Sequence, residues 1–163
     1  MLYDIVEQAF TVLNTNFAAD YTALLTAKSV ASPGTVKIVK RQSIKTALRY
    51  GALPPVMGVI SLAGRTTAKD QGKRDTQGLV AYDLYIKGAT PDLVAKQVEL
   101  AAEACMRSVD RLAASGGGVF GAGEVPLSVT VALNDDEEEE VEEGKYGRRV
   151  TVSFQVWDRD EGL

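Results

Sequence analysis

Apolar residues recur every three or four positions near the start of the chain, which predicts an amphipathic helix. This first apolar stripe consists of Leu2, Ile5, Val6, Ala9, Leu13, Phe17, Tyr21, Leu24 and Leu25. Asn14 and Asn16 are poor residues for the middle of a helix, so the pattern allows a break there and a restart near Asp20. The segment 32–34 (Ser-Pro-Gly) ends this first unit.

Five further segments read as β-strands. They are 35–40, 56–62, 79–87, 127–133 and 149–156. The first is predicted at a sheet edge, because lysines alternate with Val36 and Ile38. The second is apolar on both faces except at Ser61, which indicates a central position. The last three alternate apolar and polar residues with a period of two, as strands with one buried face do.

Two polar segments join these strands in pairs. Residues 64–78 connect the second strand to the third, and residues 134–146 connect the fourth to the fifth. Both segments are longer than usual hairpin connections of about 2–5 residues. We therefore interpret them as two long hairpin loops.

A second helix begins at the strongest local signal in the chain, Thr90-Pro91-Asp92. Threonine caps a helix, proline fits its first position, and aspartate complements its dipole. The helix is predicted to run to about Ala114, before the glycines at 116–118. Its expected buried stripe is Val94, Val98, Ala101, Cys105, Val109 and Leu112.

The order of these elements predicts one α+β domain over residues 1–163. We expect a mostly antiparallel sheet of four to five strands, with the two main helices packed on one face.

Charge is distributed unevenly along this fold. The formal net charge is -4, from 18 basic and 22 acidic residues. Eight of the acids lie within the nine positions 135–143, so the rest of the chain has 18 basic and 14 acidic residues, a net of +4. The 65–77 segment has four basic and two acidic residues, so the two predicted loops carry opposite charge.

The composition excludes several kinds of chemistry. There is no histidine, so neither a Ser-His-Asp unit nor an imidazole metal site can be built. The single cysteine, Cys105, excludes an intrachain disulfide. We expect no enzymatic activity, no cofactor and no bound metal. The start of the chain lacks a signal-peptide pattern, and the longest uncharged stretch, 51–64, is too short to span a bilayer, so we expect a soluble intracellular protein.

Two motif-like features are better explained by structure than by chemistry. Gly116, Gly118 and Gly121 match G-x-G-x-x-G, but a dinucleotide site needs that motif after a strand and before a helix. Here the order is reversed, so we interpret these glycines as a flexible connection. Cys105 lies on the buried stripe of the second helix, where a small core residue is expected rather than a nucleophile.

The charged positions are candidates for interaction. The acidic run lacks the spaced ligands and central glycine of a calcium-binding loop, so a solvated loop is expected, with an interaction surface as the alternative. Ordinary solvated charge is also expected for the basic positions Lys37, Lys40, Arg41, Lys45 and Arg49, with an acidic protein neighbour as the alternative. Trp157 is either an outer-face packing residue or an interface anchor.

The layout resembles the tail terminator (tail completion) proteins of long-tailed bacteriophages, of the phage lambda type. The resemblance rests on the leading helix, Leu53-Pro54-Pro55-Val56 at the entry to a strand, the long polar hairpin, the alternating strand 80–87, the Thr-Pro-Asp helix start and the closing strand 146–157. It covers roughly residues 2–157. The family has no short functional motif. The resemblance therefore implies which surfaces of this chain interact, but it does not assign individual contact residues.

The resemblance implies a structural role in the virion. Such proteins form a ring, usually hexameric, that caps the tail tube, ends its polymerisation and provides the head-joining surface. The implied partners are further copies, the tail tube protein and a head-tail connector or stopper protein, with DNA passing through without sequence-specific binding. The implied location is the tail or neck, after assembly in the host cytoplasm.

We expect the two hairpins to engage different neighbours. The candidate interaction residues are Arg65, Lys69, Lys73 and Arg74 in one, and Asp135, Asp136, Glu137, Glu138, Glu139, Glu140, Glu142 and Glu143 in the other, with Trp157 as the candidate anchor. A head-tail connector or stopper of the phage neck is the nearest alternative function. A small α+β ligand-binding or regulatory module would show an apolar pocket and form a dimer. An enzyme would have to rely on Asp, Glu, Lys or Tyr alone.

Overall fold

The fold is known from a computed structural model that describes residues 2–42, 54–70, 73–114, 128–142 and 145–160. In chain order the elements are helix α1 (Leu2–Ala27), strands β1 (Val36–Lys40), β2 (Val56–Asp70) and β3 (Lys73–Gly88), helix α2 (Pro91–Ala114), and strands β4 (Ser128–Glu142) and β5 (Lys145–Asp160). The predicted α+β class with a mostly antiparallel sheet is confirmed.

The sheet has the strand order β1-β2-β3-β5-β4. β1 and β2 are parallel, with Val36 opposite Val56, and every other pair is antiparallel. β5 follows β4 in the chain but lies between β3 and β4. Among the described strands, β1 and β4 therefore form the two edges, as predicted for β1, and β2 has the internal position expected of it.

The main core lies between the helices and one face of the sheet. Its largest fully buried side chains include Phe17 and Tyr21 from α1, Tyr82 from β3 and Phe154 from β5. The Phe17 ring stacks on Tyr21 at a centroid distance of 5.4 Å and meets Tyr82 edge-on at 5.5 Å. Aromatic pairs at these distances contribute beyond the area they bury.

Both predicted helix stripes are confirmed where side chains are described. The buried members are Val6, Ala9, Leu13, Phe17, Tyr21, Leu24 and Leu25 on α1, and Val94, Val98, Ala101 and Cys105 on α2. The side chains of Leu2, Ile5, Val109 and Leu112 lie outside the described part of the structure. A second, smaller cluster on the other sheet face joins Met57, Val59 and Tyr85 with Val39.

The predicted break in the first helix is wrong, since α1 is continuous over 26 residues. Asn16 donates its Nδ2 hydrogen to the Val12 carbonyl at 3.2 Å. The hydroxyls of Thr11, Thr15, Thr22 and Thr26 likewise donate to carbonyls four residues earlier. Side chains that compete with the backbone in other contexts here bond back to the helix itself.

The start of α2 is confirmed in detail. Thr90 Oγ1 accepts a hydrogen bond from the Leu93 amide at 3.2 Å, and the Thr90 carbonyl accepts one from the Val94 amide at 3.0 Å. Pro91 occupies the first helical position. The described helix extends to Ala114, and the glycines expected to stop it lie outside the described residues.

The prediction of two long loops is wrong in extent. Antiparallel pairing of β2 with β3 continues through 64–70 and 73–78 to the pair Asp70–Lys73, with one irregularity between Leu62 and Gly64. Most of the 134–146 segment likewise belongs to β4 and β5. Backbone pairing requires no apolar side chains, so a polar ribbon extends a sheet without the alternation that marks a half-buried strand. Residues 71–72 and 143–144 lie outside the described ranges.

Candidate functional site

The two charged hairpins lie at opposite ends of the sheet. β3 and β5 pair from Arg74–Asp160 at one end to Gly88–Tyr146 at the other. The β2–β3 hairpin tip is next to the first pair, and the β4–β5 tip is next to the second. Fourteen residue steps separate residues 74 and 88, which corresponds to about 48 Å of antiparallel strand. The structure therefore does not bring the two predicted interaction segments together.

The β2–β3 hairpin is less basic than its own sequence suggests. Its candidate residues lie at the register pairs Arg65–Gly78, Lys69–Arg74 and Asp70–Lys73. The end of β5 runs alongside, and its pairs Arg74–Asp160 and Asp75–Arg159 each place opposite charges at facing positions. Residues 65–77 and 155–160 together contain five basic and four acidic residues, a net of +1 instead of the +2 of 65–77 alone.

Trp157 belongs to this same end of the sheet, opposite Gln77 on β3. The register thus associates the candidate anchor with the basic hairpin and not with the acidic one. Its side chain lies outside the described part of the structure, so both interpretations of Trp157 stay predictions.

The acidic run interrupts the pairing of β4 with β5. Between the pairs Asn134–Arg149 and Glu139–Gly147, β4 advances five residues while β5 advances two. Asp135 to Glu138 occupy this bulged stretch, Glu140 and Glu142 rejoin the ladder, and Glu143 lies outside the described residues. With Lys145, Arg148 and Arg149 of β5, residues 134–149 contain eight acidic and three basic residues, a net of -5. Bulges are common at sheet edges, where they end or redirect regular pairing.

A third charged region lies at the β1 edge. Lys37 is exposed there. Lys40 Nζ and Arg41 Nη1 both donate to the Glu7 carboxylate of α1, and these hydrogen bonds, that of Lys40 first, lower the pKa of Glu7. Lys40 Nζ also lies 4.8 Å from the centre of the Phe10 ring. Lys40 and Arg41 are thus partly solvated charges that also pair with Glu7. Lys45 and Arg49 lie outside the described residues.

The pairing of Glu7 with Lys40 and Arg41 cannot be predicted from the sequence. Sequence reasoning sees only an acid near a helix N-terminus, because its partners are more than thirty positions away. The Arg41 backbone adopts a φ of 56°, in the left-handed region that non-glycine residues rarely enter. Its amide donates to the Ile60 carbonyl at 2.8 Å, so this turn closes β1 against β2.

Two buried polar contacts join the helices. Ser108 Oγ on α2 lies 2.7 Å from Asp20 Oδ2 on α1. Tyr21 donates its hydroxyl hydrogen to the Gln97 carbonyl at 2.9 Å. Burial raises the pKa of Tyr21, so its hydroxyl stays protonated and can donate. These contacts fix how α1 and α2 sit against each other, as satisfied buried polar networks do.

A cavity of about 300 Å³ lies where β3 leads into α2. Its lining includes Pro33, Pro55, Lys87, Gly88, Leu93 and Gln97. Gln97 is 1% exposed and donates its Nε2 hydrogen to the Ala31 carbonyl at 2.8 Å, while its Oε1 has no hydrogen-bond partner among the described residues. A glutamine within the apolar stripe of α2 is the sequence signal that could have marked this place.

Cys105, the single cysteine of the chain, lies on α2 among the described residues. Cys105 is fully buried, as expected of a core residue, and burial raises the pKa of its thiol well above the usual value. No group of three or more His, Cys, Asp or Glu side chains among the described residues is placed to hold a metal ion. Neither described helix is long and apolar enough to cross a lipid bilayer. No protein-family model matches the sequence, and no curated protein matches it.

Proposed function

We propose that this chain is a structural assembly protein of the phage tail-terminator type. It forms a ring, the hexamer usual for that family, on the end of a tail tube, stops polymerisation and offers the surface to which the head is joined. The observation that carries this proposal is the placement of two hairpins of different charge at opposite ends of one sheet. A ring that joins two different structures needs a separate, chemically distinct surface on each side.

The dimensions and charges suit that role. The two tips are about 48 Å apart along β3, so each can contact a different partner. The β4–β5 end has a net charge of -5, whereas the β2–β3 end has a net charge of +1 and includes Trp157. In this proposal one end meets the tail tube protein and the other meets the head-tail connector or stopper. An acidic end near the channel would repel passing DNA, so DNA crosses the ring without being bound.

Tail-tube polymerisation provides the direct test. Purified protein added to polymerising tubes is expected to shorten them and to leave a ring on their ends in electron micrographs. Unchanged tube length and bare ends would contradict the terminator role. Binding to the portal side of the neck without any effect on tubes would instead identify the head-tail connector or stopper of the alternative reading.

Charge removal tests the division of labour between the two ends. The triple variant Glu139→Gln, Glu140→Gln, Glu142→Gln removes three acids from the β4–β5 hairpin. Its matched control, Asp92→Asn, Glu99→Gln, Glu103→Gln, removes three acids from α2. We expect the hairpin variant to lose either head joining or DNA release and to keep tube capping. The control variant should keep all three functions. Loss of neither function in the hairpin variant would contradict a role for the acidic end.

The cavity beside α2 supports a second candidate function, a small ligand-binding module. Its volume of about 300 Å³ is at the lower limit for small-molecule sites, and the Gln97 amide is buried in its wall. Native mass spectrometry separates the two functions, because a ring predicts a closed oligomer with more than two copies. A stable dimer with bound small molecule, lost in a cavity-filling Leu93→Trp variant, would favour the ligand-binding module.

A further inference from the structure

The two edge strands of the sheet differ in a way that suits head-to-tail association. A ring of identical copies uses a heterologous interface, in which two different patches of the chain meet at every contact. β1 and β4 are two such patches, because they are the opposite edges of the described sheet. Sheet edges expose backbone groups that can pair with another strand.

The backbone of β1 presents such groups. Thr35 accepts a hydrogen bond from the Val56 amide at 3.3 Å, and the Arg41 amide donates to Ile60 at 2.8 Å. Alternate residues of a parallel strand bond to the same neighbour, so the odd-numbered positions of β1 face β2. The amides and carbonyls of Val36, Ile38 and Lys40 therefore point away from β2, where the described residues give them no backbone partner.

The charges of the two edges are complementary. At the β1 edge Lys37 is exposed and lies level with Asn134, the residue before the acidic run, whereas Lys40 lies level with Val131. Lys40 and Arg41 both bind Glu7, so the charge that faces β4 is that of Lys37. The β4 edge has seven acids within 135–142. A lysine on an edge strand usually keeps like edges apart. Here it disfavours β1 against β1 and favours β1 against β4, which selects a head-to-tail contact.

The strand directions allow this contact. β1 is parallel to β2, and each later neighbour in the sheet is antiparallel to the one before it, so β4 runs antiparallel to β1. Rotation about an axis along the strands preserves their direction, so β4 of one copy meets β1 of the next as an antiparallel pair. The two edge strands also lie at the same level along the strand direction. Successive register partners across the sheet are Lys37, Met57, Tyr85, Arg149 and Asn134, so Lys37 of one copy is level with Asn134 of the next.

We infer that copies of this chain associate edge to edge, with β1 of one copy pairing antiparallel with β4 of the next. The acidic bulge that begins after Asn134 then lies beside Lys37 of the neighbour. One continuous sheet passes around the oligomer, and the β2–β3 tip and the part of the β4–β5 hairpin beyond the bulge remain free for other partners. This inference names the self-contact of the proposed ring and rests on the proposed function only for the closure of that ring.

Cysteine cross-linking tests the pairing in the full chain. In the double variant Lys37→Cys, Asn134→Cys the two positions of one copy are four strand spacings apart, about 19 Å. A disulfide needs Cα atoms within about 7 Å, so any disulfide between these positions must join different copies. Buried Cys105 does not compete. We expect a ladder of multimers under oxidising conditions that reductant reverses.

Matched controls fix the location of the contact. Lys37→Cys combined with Glu99→Cys, an exposed position on α2, is expected to give no ladder. Moving the second cysteine by two or four residues within the regularly paired part of β4, to Ala132 or Thr130, measures any stagger between copies, since an even shift keeps the same face of the strand. The ladder is expected to be strongest at one of these three β4 positions.

A proline substitution tests the backbone pairing separately. Ile38→Pro removes an amide hydrogen that β2 does not use, and its control Ile38→Val loses similar side-chain volume but keeps the hydrogen. We expect Ile38→Pro to weaken self-association about tenfold relative to Ile38→Val in sedimentation experiments. Equal self-association of the two variants would overturn the pairing through β1.

The outcomes separate this inference from the proposed function. A chain that stays monomeric at every concentration and gives no ladder overturns the inference. A ring whose cross-links form only outside β1 and β4 overturns it as well, while leaving the terminator role intact. Edge-linked oligomers that do not cap tail tubes support the inference and contradict the proposed function.

Discussion

Replacement of Gly58 by alanine is expected to be destabilising because of a single neighbour, the ring of Tyr82. Gly58 lies in the middle of β2, where glycine normally weakens a strand. A Cβ atom built there would be 2.5 Å from Tyr82 Cε2 and 2.6 Å from its hydroxyl oxygen. Distances below 3.0 Å require something to move. The Tyr82 ring is fully buried and meets Phe17 edge-on, so it has no room to retreat.

The expected cost of Gly58→Ala follows from two opposing terms. Replacing a strand glycine with alanine gains about 0.5–1 kcal/mol from the smaller backbone entropy of the unfolded chain. Overpacking a closed core costs about 1–3 kcal/mol. We therefore expect a net destabilisation of about 0–2.5 kcal/mol, centred near 1 kcal/mol. At that centre the melting temperature falls by about 2–4 °C for a domain of this size.

A double-mutant cycle with Tyr82→Leu tests the cause. Leucine lacks the ring atoms and the hydroxyl that the new Cβ would meet, so Gly58→Ala should become neutral or stabilising by up to about 1 kcal/mol in that background. The expected coupling is about 1–3 kcal/mol, measured by urea denaturation followed by circular dichroism. An equal loss in both backgrounds, or no loss in either, would refute the steric explanation.

Three further predictions concern single contacts. Tyr82→Phe removes a buried hydroxyl that has no hydrogen-bond partner among the described residues, so it should stabilise the fold by about 1 kcal/mol in urea denaturation, and destabilisation would imply an overlooked partner. Thr90→Ala should cost about 1 kcal/mol through loss of the α2 cap, whereas Thr90→Ser should cost little. Glu7→Gln should lower the melting temperature at pH 7. The pKa of Glu7 is lowered from 4.5 in the folded chain, so the difference from wild type should be full well above pH 4.5, shrink below it, and disappear once the pH has fallen through the lower folded-state pKa. A difference that persisted in stronger acid would contradict the ion pair.

Local signals predict the helices well. The start of α2 follows from three consecutive residues, Thr90 to Asp92, whose physical effects all act within one turn. The apolar stripes follow from a period that the helix itself imposes. The predicted break in α1 fails because Asn16 bonds to a carbonyl four residues earlier, which composition alone does not indicate.

Backbone pairing between strands that are far apart in the chain cannot be predicted from local residue patterns. The alternation of apolar residues locates the covered part of each strand, so it predicts strand ends near residues 62 and 133. Their polar continuations pair through the backbone, which leaves no residue pattern to read. The near-neutral charge of the β2–β3 end has the same origin, because the compensating Asp158 and Asp160 come from a strand about eighty residues away in the chain.

The position of β5 also sets the order in which the molecule can form during synthesis. β4 is made before β5, but its described strand partner in the sheet is β5, and β5 pairs with β3 at positions as distant as Tyr82 and Val152. Such long-range pairing forms slowly compared with local structure. A nascent chain that has emerged only as far as β4 therefore possesses the β1 edge without the ordered acidic edge. Under head-to-tail pairing, a chain would become competent to join its neighbours only after residues 145–160 had been translated and inserted between β3 and β4.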